Sequence, residues 1–201
     1  MGSVFLLSPA YCGGKRAQLL VGGKAQFDLA VRLREAGAPI GEVFAFLSGL
    51  YFRGKLAYGS RFGRPLVITP GRGLLAPDTR ITLEDLRAIA EVGVAVDEPR
   101  YRAPLERDAD ALAASLAESD SVVLLGSIAT GKYLDVIESR LEGWLRFPAQ
   151  FVGRGDMSRG GLMLRCVSAG TELDYVVVAG ATRRGKRPPR LAPIKFPPAI
   201  G

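Results

Sequence analysis

The chain has 201 residues, 48% of them apolar, and a net charge of +7 at neutral pH, which supports one domain with a sizeable core and excludes bulk disorder. It holds no histidine and only two cysteines, Cys12 and Cys166. That excludes Ser-His-Asp and Cys-His catalysis, HExxH metalloproteases, a structural zinc site and a disulfide framework.

In chain order, residues 4–7 read as a first buried strand, ended by Ser8-Pro9 and followed by a glycine-containing loop over residues 10–16. Phe27, Ala30, Val31 and Leu33 recur at helical spacing, and Gly37 with Pro39 stops that helix. Residues 40–51 are apolar and helical, with a second helical stretch to Tyr58. Residues 65–69 form a short strand closed by Pro70, Gly71 and Gly73. Thr82 and Asp85 resemble a capping box that starts a helix through Ala90. Residues 105–116 form an amphipathic helix, residues 121–125 a third strand entering Gly126, and residues 132–141 another helix. Residues 162–167 and 173–178 flank Ser168-Ala-Gly-Thr171, which reads as a β-hairpin. The alternation predicts a three-layer α/β/α fold with a mainly parallel central sheet and a C-terminal β-hairpin. Residues 1–178 form the domain and residues 179–201 a basic, Pro-rich tail. Six cations and no acid lie in that tail, which leaves the other 178 residues a net charge of about +1. The longest aliphatic runs are too short to cross a bilayer, and residues 1–7 lack a cationic region followed by a long apolar one. A cytoplasmic chain with no membrane partner is expected; the sequence leaves its oligomeric state open.

In such sheets ligands gather beyond the carboxyl ends of the strands, which singles out residues 9–16, 70–74 and 126–132. The turn Gly126-Ser-Ile-Ala-Thr-Gly131-Lys132-Tyr133 follows a strand and matches G-x-x-x-x-G-K, but Tyr133 stands where a P-loop needs Ser or Thr for Mg²⁺. Its small residues still let backbone N–H groups approach an anion, with Lys132 adding charge. In the first loop, Gly13 and Gly14 expose backbone, Lys15 and Arg16 can neutralise phosphate, and Tyr11 can stack on a base. The stretch Gly153-Arg154-Gly155-Asp156-Met157-Ser158-Arg159-Gly160-Gly161 reads as a glycine-rich loop. There Arg154, Ser158 and Arg159 would hold phosphate, and Asp156 would serve as a base or pin an arginine. Residues 48–58 interleave aromatics with cations, which suits either nucleic-acid stacking or a helix with its rings in the core and its cations in water. In the tail, Arg183, Arg184, Lys186 and Arg187 suit a polyanion held without sequence preference.

The strings FLLSPAYCGGKRAQLL, FLSGLYFRGKLAY, VVLLGSIATGKY and FVGRGDMSRGGLMLR resemble those of an uncharacterised bacterial protein family of about this length. The layout of LVITPGRGLLAPDTRIT followed by VVLLGSIATGKYL resembles the uracil-DNA glycosylase-like fold, where a strand ending in a Leu-Gly-x-x-Ala pattern lies beneath the base pocket. Leu125-Gly126-Ser127-Ile128-Ala129 fits that pattern. Those glycosylases carry Asp or Asn after the first strand and commonly a late histidine; here that loop offers Tyr11 and Cys12, and histidine is absent. The resemblance therefore implies a fold and no catalytic residue; in a glycosylase of this kind Asp156 and the arginines beside it would have to do those jobs from another loop.

The sequence reading is a hydrolase acting on nucleic acid, DNA ahead of RNA, by glycosylase-like cleavage of the N-glycosidic bond of a base. Asp156 is the catalytic candidate, and neither cofactor nor metal is expected. A non-catalytic DNA- or RNA-binding module and a nucleotide-binding enzyme using the turn at residues 126–132 stay open as alternatives.

Overall fold

The computed structural model describes residues 2–192 with the exception of Gly23. Strand β1 (Ser3–Leu7) is followed by helices α1 (Lys15–Val21) and α2 (Asp28–Glu35) and by the short strand β2 (Ala38–Pro39). Helices α3 (Ile40–Ser48) and α4 (Leu50–Phe62) are separated only by Gly49, whose φ of +58° turns the chain. Then come β3 (Arg64–Thr69), β4 (Gly73–Leu75), β5 (Arg80–Ile81), α5 (Leu83–Ala90) and α6 (Pro99–Ser115). The chain continues through β6 (Ser121–Leu125), α7 (Leu134–Ile137), β7 (Leu145–Pro148), a 3₁₀ turn (Ala149–Phe151), α8 (Asp156–Ala169) and β8 (Tyr175–Val177). Among the described residues, no helix is long and apolar enough to cross a membrane.

The main sheet has the order β4-β3-β1-β6-β7-β8. Its four inner strands run parallel, and β4 and β8 close the edges antiparallel. Successive side chains of a strand point to opposite faces, and Phe5, Leu6 and Leu7 of β1 and residues 122–125 of β6 are all buried. Both faces are therefore covered, which makes the fold a three-layer α/β/α architecture. From β1 the chain proceeds to β3 on one side, then crosses back to β6 on the other. The crevice beyond the carboxyl ends of β1 and β6 is the topological switch point, where such sheets bind ligands.

The capping box is present: Thr82 Oγ1 accepts from the Asp85 amide, and the Asp85 carboxylate accepts from the Thr82 amide. The expected hairpin partner over residues 162–167 is instead part of α8, and Gly170 of the expected turn is the helix's left-handed C-cap. The antiparallel pair at this end of the sheet is formed by β8 with β7. The helix expected over residues 132–141 is confined to the four residues of α7.

Helix α4 positions the functional side chains. It lies antiparallel along β1 on a face repeating every four residues, about 6 Å of helix. A Cβ at Gly63 would run into the Ser3 carbonyl, and one at Gly59 would stand 3.2 Å from the Phe5 Cβ and 3.1 Å from the Pro65 Cβ. One turn further, Lys55 reaches Ser8, immediately past β1. On its other side α4 meets α8 backbone to backbone. A Cβ at Gly54 would lie 2.7 Å from the Gly160 carbonyl oxygen, and one at Gly160 would lie 2.7 Å from that of Leu50. Because the obstructing atoms are main chain, Gly160→Ala should cost about 1–3 kcal/mol, read by circular dichroism as a fall in melting temperature of about 3–10 °C. Gly143→Ala, whose added Cβ meets nothing within 4 Å, is expected to leave the melting temperature unchanged; equal effects at both positions would contradict the packing argument.

Candidate active site

Strands β1 and β6 end side by side. The Ser8 amide donates to the Leu125 carbonyl (3.3 Å), so the pairing runs one residue past β1. Gly126 lies so close that a Cβ there would be 3.0 Å from that of Ser8. Into this point α4 delivers Lys55, whose Nζ donates to the Ser8 carbonyl (2.5 Å) and to Ser8 Oγ (2.8 Å). The ammonium stands 4.3 Å from the centroid of the Tyr51 ring and 4.9 Å from that of Phe52. Lys55 is only 1% exposed. Burial pulls its pKa down to about 7; Asp156 opposes this and Arg159 reinforces it.

Two phenols complete the buried part. Tyr51 sits one helical turn before Lys55, and its hydroxyl is buried beside Arg159 and Ser8 without a hydrogen-bond partner. Burial raises its pKa. Tyr133 lies beside Ser8 at the end of the β6 turn, and burial pushes it up to about 12. That turn is held from below by Tyr101, whose hydroxyl donates to the Lys132 carbonyl (2.9 Å).

Helix α8 caps the cluster. Arg159 is buried and donates from Nε (3.2 Å) and Nη2 (3.1 Å) to the Phe151 carbonyl, with its guanidinium over the Phe151 ring. Its Nη1 stands 3.7 Å from Asp156 Oδ1. Asp156, in the first turn of α8, keeps its side chain 68% exposed, yet its charge acts on Tyr51, Lys55 and Tyr133. Ser8, Tyr51, Lys55, Tyr133, Asp156 and Arg159 thus form one constellation at the switch point. It offers a hydroxyl, a lysine that changes charge near neutral pH, two phenols and a carboxylate at the mouth.

Of the residues expected from sequence, Asp156 joins this cluster. Arg159 joins it in a different role: its guanidinium is spent on Phe151 and the support of Asp156 rather than on a phosphate. Gly160 is no loop glycine but the contact point of α8 with α4, while Gly155 is the N-cap of α8. Gly13 and Gly14 lie in the turn before α1, and Gly126 and Gly131 in the turn after β6. Lys15 and Lys132 are exposed, and Tyr11 is 77% exposed. Arg16 donates to the Phe46 carbonyl (3.1 Å). Arg154 donates to the Gln150 carbonyl (3.0 Å), Ser158 Oγ (3.2 Å) and the Pro189 carbonyl (3.4 Å). With Arg187 and Arg190 it lines a cleft of about 330 Å³ against the N-terminal turn of α8. Arg183 pairs with Glu138 at 3.5 Å, and Arg184 and Lys186 are exposed. Lys195, the last tail cation, lies outside the described residues. Among those residues, no three His, Cys, Asp or Glu side chains gather as metal ligands.

The sequence reading missed Ser8, Tyr51, Lys55 and Tyr133; of the two readings of residues 48–58, the helix with its rings in the core holds, with Arg53 exposed but Lys55 buried. The signal for Lys55 was the spacing Tyr51-Lys55-Gly59, which sets the lysine on the same helical face as a buried aromatic and a small, buried residue. Compared with family models, with curated proteins and with solved structures, the chain matches none.

Lys55 also gives a pH signature. In the unfolded chain its pKa returns to about 10.5, so between about pH 7 and pH 10 the unfolded state binds more protons and stability rises with pH. Wild-type stability relative to Lys55→Met, measured by urea denaturation across that range, should therefore increase with pH. A difference that stays flat would show that the lysine is not titrating near 7.

Proposed function

We propose that this protein is a hydrolase acting on nucleic acid, cleaving the N-glycosidic bond of a base, with Asp156 as its carboxylate. The observation that carries the reading is Asp156 itself, held by Arg159 at the mouth of a buried hydroxyl-lysine cluster at the switch point. Such cleavage passes through an oxocarbenium-like state, by analogy with sugar hydrolysis, and needs a carboxylate to support that charge or to orient water. It also needs hydrogen-bond donors for the departing base; here the unpartnered Tyr51 hydroxyl and Tyr133 supply them. Histidine is not required.

A base acted on in this way leaves its stack, and the exposed ring of Tyr11 offers it a stacking face. The backbone would lie across the cleft of Arg154, Ser158 and Arg187, with Lys15 and Lys132 on the strand-end side. DNA is the favoured substrate, and the tail cations add attraction without sequence preference. Incubating the protein with DNA carrying a panel of modified bases should yield abasic sites. Asp156→Asn should slow their formation by about 100-fold or more while leaving DNA binding intact. Tight binding with the whole panel left uncleaved would sink the enzymatic reading in favour of a binding module.

A further inference from the structure

Ser8 and Lys55 have a geometry that the N-glycosidic reading leaves unused. Ser8 Oγ lies 2.8 Å from Lys55 Nζ and donates to the Leu125 carbonyl oxygen at 3.3 Å. The hydroxyl is buried, and its backbone is fixed by the continued β1–β6 pairing. Beside it lies the Tyr51 hydroxyl, fully buried with no partner of its own. A buried polar group without a partner is costly; this one has Ser8 and Arg159 as its polar neighbours, so it is close to any group attached to Ser8. Tyr133 approaches the same hydroxyl from the β6 turn. Nucleophile, base and oxyanion donors are the three parts that covalent catalysis requires, and none of them needs histidine here.

We propose that Ser8 is a nucleophile and Lys55 its general base, a pair that accepts the acyl group of a small ester. Ser8 Oγ attacks the carbonyl carbon while its proton passes to the neutral Lys55 amine. The tetrahedral oxyanion accepts hydrogen bonds from Tyr51 and Tyr133. Collapse breaks the ester C–O bond, and the departing alkoxide takes the proton back from Lys55. Water, deprotonated by the same amine, then releases the acyl group as a carboxylic acid and restores Ser8. Because Lys55 acts only when neutral, the rate rises with pH as its proton leaves. The other groups facing it are Asp156, Arg159, Tyr51 and Tyr133, and burial moves both phenols upward, away from neutrality.

This inference is independent of the glycosidic reading, and its test contains no nucleic acid. The full chain is treated with phenylmethylsulfonyl fluoride from pH 5.5 to 9. Attack by Ser8 Oγ forms the O–S bond and expels fluoride while Lys55 takes the proton. Intact mass should show one sulfonyl adduct, peptide mapping should place it on Ser8, and its rate should rise through about pH 7. Hydrolysis of p-nitrophenyl acetate by untreated protein should follow the same profile and be lost in Ser8→Ala. Lys55→Arg retains a cation but provides no base at these pH values, and should slow both reactions by about 100-fold. No adduct, an adduct on another residue, or a Ser8 adduct whose rate shows no rise near pH 7 overturns the proposal. The last criterion uses only wild-type protein, so the proposal remains testable if Lys55→Arg does not fold.

Discussion

The main-chain contact between α4 and α8 is the constraint on which the rest of the site depends. Gly54 and Gly160 let the two helices touch without side chains between them. On its opposite side α4 is pressed onto β1 through Gly59 and Gly63. Those close approaches set the height of Tyr51 and Lys55 over the end of the strand, and they set Arg159 beside the crossing and Asp156 one turn before it. With a larger residue at either crossing position, the helices must separate by a few tenths of an ångström or more. The lysine would then lose its seat before the sheet noticed the change.

The electrostatics of the cluster follow from how its two buried cations are satisfied. Neither Lys55 nor Arg159 is closely paired with a carboxylate. Each donates to a backbone carbonyl, of Ser8 and of Phe151 respectively, and each lies over aromatic rings. Carbonyl dipoles offset only part of the cost of removing charge from water, which is why Lys55 titrates near neutrality. The same arrangement leaves Asp156, 3.7 Å from Arg159, supported but not consumed. Its carboxylate remains largely exposed to solvent.

Much of the fold was legible in the sequence because apolar runs and capping residues act locally. The runs at residues 4–7, 65–69 and 121–125 became the central strands, and Thr82 with Asp85 started α5 where expected. Residues 162–167 misled because Leu-Met-Leu-Arg-Cys-Val suits a strand as well as a helix. The deciding contact, Gly160 on α4, lies more than a hundred residues away in sequence. The site was legible in part for the same reason. Asp156 stood out among glycines and arginines, whereas Lys55 looked like any cation on an exposed helix. Ser8 looked like a strand terminator beside Pro9. Their meaning comes from each other, and no local pattern states that residues 8 and 55 will touch.

The distance along the chain between these parts bears on the order in which they are made. Ser8, Tyr51 and Lys55 emerge from the ribosome early, joined by the short-range register of α4 against β1. Their cover, α8, is translated about a hundred residues later, after β6 has fixed the strand end from the other side. The lowered pKa of Lys55 comes from its burial, so it is a property of the folded domain alone. The glycine pair at the crossing thus joins parts of the cluster that are made about a hundred residues apart.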